Sequence, residues 1–124
     1  MTPLIAVALG GALGALGRYG VNHLASSLLA TRFPLGTLAI NVLGSMLIGV
    51  LYVLIVEKAV LPMEWRNLLM TGFVGALTTF STFSLDAVAL WQNGHLFLAL
   101  GYIASSVVLC LLGTAGAMYL TRLI

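Results

Sequence analysis

Five hydroxyl side chains, Thr78, Thr79, Ser81, Thr82 and Ser84, fall within seven consecutive positions of the stretch Thr71 to Asp86, TGFVGALTTFSTFSLD. A single Ser or Thr on an apolar helix usually bonds back to its own carbonyls and carries no chemistry. Five together form a line of donors and acceptors that can replace part of an ion's hydration shell. Phe80 and Phe83 interleave with them, three apart and so on one helical face. Two readings stand for these rings: they pack between helices, or their electropositive edges face an anion to which the hydroxyls donate. Asn41, alone in the middle of another apolar stretch, adds two N–H donors and one acceptor. An amide in such a place needs a partner, and helix-to-helix bonding and pore lining are equally open to it.

Two formal charges fall inside apolar stretches, Arg18 and Asp86. Arg18, one to two turns from the expected end of its helix, either snorkels outward or raises the anion concentration at a vestibule. Asp86 lies about one turn before Trp91 and within reach of an interface, which argues against a proton relay. His23 and His95 sit at or near span ends, and no second carboxylate lies at depth, so proton-coupled transport lacks its titratable group. No nucleophile–base pair, phosphate loop or metal-ligand cluster occurs, so the chain is not expected to be an enzyme. The single cysteine, Cys110, lies in an apolar run and reads as a small packing residue.

The elements that hold these residues follow from composition. The chain is 61% hydrophobic and 6% charged, and its mean hydropathy is +1.15, values from which a water-soluble surface cannot be made. A formal charge of +2 from five basic and three acidic residues is too sparse for a nucleic-acid face. Stretches of about 20 apolar residues each cover nearly the whole of it, over about 4–24, 35–56, 65–91 and 96–120. The fold class is therefore all-α integral membrane, a single domain over 1–124 with four spans and almost nothing outside the bilayer. The N-terminus lacks the basic region of a secretory signal and reads as a retained first helix. Pro34 suits the first turn of the second span. The charged segment from Glu57 to Arg66 belongs in water, and Trp65, Trp91, Tyr102 and Tyr119 include candidate interface anchors. Gly72 and Gly75 ahead of two β-branched threonines weaken the third helix, which predicts a break near Gly75 to Thr79. Such breaks create ion sites from freed carbonyls and N–H groups. The basic residues give only a weak inside bias, and the glycine faces, Gly10 with Gly14 among them, argue for a homo-oligomer.

Three segments, GGALGALGRY at Gly10 to Tyr19, GTLAINVLGSMLIG at Gly36 to Gly49 and GALTTFSTF at Gly75 to Phe83, together resemble the Fluc (CrcB) family of fluoride channels. The last segment is the most specific, and the resemblance covers essentially the whole chain. It implies a passive fluoride exporter in the bacterial inner membrane, built as an antiparallel, dual-topology homodimer with two pores. By the same resemblance Phe80 and Phe83 are the pore phenylalanines, Asn41 is the pore-lining amide, and Ser81 and Thr82 belong to a polar track. Arg18 remains a vestibule candidate from its own chemistry. The resemblance also implies a structural Na+ at the dimer centre, held by the backbone carbonyls of Gly75 and Thr78. Asp86 stands where the family often has a glutamate. Tyr102, Ser105 and Ser106 are candidates to extend the polar lining, and Cys110 receives no role. A small dual-topology multidrug exporter is the alternative, but such exporters carry a glutamate in the first helix and Leu4 to Leu24 has none. A non-transporting membrane subunit is the third reading.

Overall fold

The computed structural model of the chain describes residues 2–29 and 31–124. Among these, every regular element is helical. In order they are α1 (Pro3–Leu28), α2 (Leu35–Tyr52) with a π-helical continuation Val53–Glu57, a π-helical segment Arg66–Val74 running into α3 (Gly75–Leu77), α4 (Phe80–Gln92) and α5 (Leu96–Arg122). Four stretches, Pro3–Leu28, Leu35–Glu57, Arg66–Gln92 and Leu96–Arg122, are long and apolar enough to cross a membrane. The third is interrupted at Thr78 and Thr79, whose backbones are extended (φ −81°, ψ 156° and φ −153°, ψ 122°). The predicted break is present, and it occupies only the two threonines.

Local sequence explains the helix ends. Pro3 occupies the first turn of α1, and Thr2 Oγ1 accepts the Ile5 N–H at 3.3 Å, so the cap satisfies one of the orphan donors. Pro34 precedes the first turn of α2 instead of lying in it, and its carbonyl accepts from Leu38 N–H at 3.2 Å. Gly94, at φ +83°, makes the turn between α4 and α5 that a side chain would strain. The 58–65 connection is mostly exposed. At its start Arg122, in the last turn of α5, donates from Nε and Nη2 to both oxygens of Glu57 at 2.8 and 2.7 Å. This two-bond pair links the end of the α2 continuation to the last turn of α5.

Helix packing divides the third span. α1 lies along Arg66–Val74 and α3, whereas α4 packs on α5, which also lies along α2. The α1 contact is backbone on backbone. A Cβ at Gly10 would overlap the Leu68 carbonyl oxygen, and one at Gly14 the Phe73 carbonyl oxygen. The small-residue face of α1 is therefore used within the chain, as are Gly44 against Thr78 and Gly49 against Thr114, so these glycines no longer argue for self-association. Large apolar side chains such as Leu13, Leu16, Phe97 and Leu112 point outward, as lipid-facing residues must. The buried clusters are small: Phe83, Ala87, Leu90, Ala99 and Tyr102 in one, Leu51, Ile55 and Val74 in the other.

Two placements differ from expectation. α1 continues to Leu28, so Arg18 lies nearly three turns from the end of its helix, and it is only half-buried. Tyr102 is no interface anchor. It is 0% exposed, because its ring fills the space between Phe33 and Phe83.

Candidate functional site

The break would leave several backbone groups without helical partners, a costly state away from water. Asn41 on α2 resolves this. Its Oδ1 accepts the Thr79 N–H at 2.8 Å, and its Nδ2 donates to the Thr79 carbonyl at 3.0 Å. Thr79 in turn caps α4, its Oγ1 accepting the Thr82 N–H at 3.2 Å and lying 3.3 Å from Ser81 Oγ. Asn41 thus performs helix-to-helix bonding and also lines a cavity. One of its two amide hydrogens suffices for Thr79, which leaves a second N–H donor at the cavity wall.

That cavity, about 630 Å³, lies between α2, the two sides of the break and α5. Phe80 and Phe83 stand at its edge, ring centroids 5.5 Å apart and planes inclined by 59°. Phe80 is 78% exposed whereas Phe83 is 9% exposed, so the pair leads from the open side of the chain into its interior. The aromatic row continues from Phe83 to Tyr102 at 5.2 Å and to Phe33 at 5.6 Å. Tyr102 donates its O–H to Asp86 Oδ2 at 3.2 Å. Asp86 and Thr82 line a second cavity of about 290 Å³ beside Phe33 and Thr37. The row therefore connects two cavities, with Tyr102 between them.

The expected site residues separate into groups. Asn41, Phe80, Phe83, Gly75 and Thr78 share the larger cavity. Thr82 faces the smaller one. Ser81 is exposed with its hydroxyl toward Thr79. Arg18 lines neither cavity. Ser105 bonds back to the Gly101 carbonyl at 2.7 Å, the ordinary fate of a helical serine. Ser106 differs: it is 6% exposed, lines the larger cavity and has no hydrogen-bond partner for its Oγ. Tyr102, Ser106 and Cys110 stand four residues apart on α5, and that helical spacing is the signal from which their common face could have been read.

The carbonyls at the break suit a hard cation better than any side chain nearby. The Thr79 N–H that would bond the Gly75 carbonyl goes to Asn41 instead, and the helix does not continue past Thr78. Among the described residues no group of three His, Cys, Asp or Glu side chains lies together. Gly75 and Thr78 thus offer neutral oxygen donors of the kind that bind alkali cations, but two carbonyls alone make an incomplete shell.

The CrcB-like protein (camphor resistance, CrcB) family model matches residues 5–118. A fluoride-specific ion channel FluC of Saccharophagus degradans is 53% identical over 95% of this chain and 88% of its own length. The FluC of Hahella chejuensis is 52% identical over 98% of this chain and 95% of its own, and that of Pseudomonas fluorescens 47% over 99% and 100%. A match of this extent, with four apolar helices, the break and its Asn41 clamp in one chain, makes this protein a member of the CrcB family.

Proposed function

We propose that the chain is a fluoride-selective channel, and no enzyme, that lets fluoride leave the cytoplasm through the bacterial inner membrane and so protects the cell from it. The observation that carries this reading is the broken third helix. Its Asn41 clamp and the Phe80–Phe83 pair bound the larger cavity, between α2 and α5.

Fluoride is small and strongly hydrated, so conduction needs donors that replace water one after another, each binding weakly enough to release the ion. Phe80 receives the anion against its ring edge, and Phe83 continues the path inward. The free N–H of Asn41 and the hydroxyls of Ser81 and Thr82 donate hydrogen bonds along the track. No charged group needs to move, so flux is passive and follows the electrochemical gradient.

The larger cavity is open on one side of the single chain, and Phe80 projects from that opening. A second copy inserted in the opposite orientation closes it, giving an antiparallel homodimer. The weak charge bias, with Arg32 on one side and Lys58, Arg66 and Arg122 on the other, suits insertion both ways. The Gly75 and Thr78 carbonyls of both copies would hold a Na+ at the centre, which would supply a fixed positive charge there.

The test is efflux from proteoliposomes followed with a fluoride electrode, with fluoride leaving rapidly, chloride retained, and flux reduced when sodium is withheld during purification. An electrode trace no different from that of empty liposomes would overturn the reading.

A further inference from the structure

A third cavity, of about 380 Å³, lies where the α1–α2 connection meets the turn between α4 and α5, and the fluoride reading gives it no part. Arg32, Asp86, Asn93 and His95 line it. Asp86 and Pro34 also line the smaller cavity beside Phe33 and Thr37, so the two spaces meet at the carboxylate. From there the aromatic row runs through Tyr102 to Phe83 and the larger cavity. An anion that takes this route must pass Asp86, which repels it, and a cation at the mouth offsets that cost. Arg32 is the only lysine or arginine that lines any of the three cavities. It is exposed, and Arg122 with Glu57 is the one ion pair among the described residues, so its guanidinium is not taken up by Asp86. Beside the same junction α2 begins without a side-chain cap on its first N–H groups, an end that favours negative charge. Arg18 lines none of these spaces.

We infer that this cavity is the mouth through which fluoride passes between water and the aromatic row, and that Arg32 draws the anion in by its charge. The inference rests on the channel reading. Arg32 then acts by steering: it holds no ion in a fixed geometry, and another cation of similar reach can take its place. Asn93 and His95 offer N–H donors at the same mouth, so an ion leaving bulk water meets partners before it reaches the carboxylate. A unit charge about 6 Å from an ion's path in water changes the local anion concentration roughly threefold. That factor sets the scale of the effect.

The experiment measures fluoride efflux per incorporated protein from proteoliposomes in potassium glutamate with valinomycin, fluoride being the minor anion. Salt is set at about 10 mM and about 1 M, where a charge is felt over about 30 Å and about 3 Å, for the wild type, Arg32→Gln, Arg32→Lys and Arg32→Glu. At low salt Arg32→Gln is expected to conduct about threefold more slowly than the wild type and Arg32→Glu about tenfold. Both differences should close at high salt, and Arg32→Lys should stay near the wild type throughout. Equal flux of Arg32→Gln and the wild type at low salt would remove Arg32 from the path. A loss of the same size at both salts, or one as large in Arg32→Lys as in Arg32→Gln, would make its role one of shape and would overturn the inference as well. Wild-type liposomes that pass no fluoride at either salt would instead overturn the channel reading.

Discussion

The two halves of the third span are close in sequence and opposite in use. Arg66–Val74 with α3 is held backbone to backbone against Gly10 and Gly14 of α1, with the Leu68 and Phe73 carbonyl oxygens where side chains on those glycines would lie. α4, from Phe80 onward, meets α5 through side chains, Phe83, Ala87 and Leu90 against Ala99 and Tyr102. The first half is a frame and the second presents chemistry. Breaking one helix thus brings backbone groups and hydroxyls to a cavity in a chain with few charges. The first half is held by backbone contact with α1, and the second carries the aromatic rings and hydroxyls that follow the gap.

Added bulk in the frame is the severest test of this contrast. Gly10→Val places a side chain where the Leu68 carbonyl oxygen lies. Since backbone cannot yield as a side chain does, this substitution is expected to abolish folding, seen as loss of a monodisperse peak in detergent. Comparable yield and elution to wild type would show that the α1 contact is loose. At the junction of the halves, Asn41→Ala leaves the Thr79 N–H and carbonyl without their partner, at about 1–3 kcal/mol for each group. A fall in melting temperature together with loss of most flux is expected, and flux at the wild-type rate would remove Asn41 from the path.

On the chemical half the effects should fall on flux more than on folding. Phe80 is largely exposed within the chain, so Phe80→Ile should leave the melting temperature and elution volume close to wild type while fluoride efflux drops. Unchanged efflux would return Phe80 to a packing role. The smallest effect is expected from Tyr102→Phe, which keeps the ring between Phe33 and Phe83 and removes only the bond to Asp86. A hydrogen bond of this kind contributes about 1 kcal/mol, with more lost if Asp86 is left unpaired, and the shift is read by thermal denaturation. A loss as large as that of Asn41→Ala would mean that Tyr102 supports the break as well.

Much of this arrangement is legible in the order of residues. Glycines ahead of paired threonines announce the interruption, and the spacing of Phe80 and Phe83 places both rings on one face, where they do lie together. Asn41 is recognisable as an amide in need of a partner. That its partner is the Thr79 backbone, 38 residues away, is not, because backbone groups look alike in sequence. Tyr102 reads as an anchor since tyrosine suits interfaces, but the gap between Phe33 and Phe83 buries it. Gly10 and Gly14 are recognisable as a close-contact face, yet nothing local says whether that contact is with another copy or with Leu68 and Phe73.

Residue order alone is enough to make this a membrane chain of four helices. Hydropathy sums over neighbours along the chain, and a backbone in lipid must satisfy its own hydrogen bonds within each span. Which polar group answers which was settled only by tertiary packing. Packing gave Asn41 to Thr79 and Tyr102 to Asp86, and left the Ser106 hydroxyl buried without a partner. Pairings of that kind depend on distances of a few ångströms between residues far apart in sequence, and no local pattern encodes them.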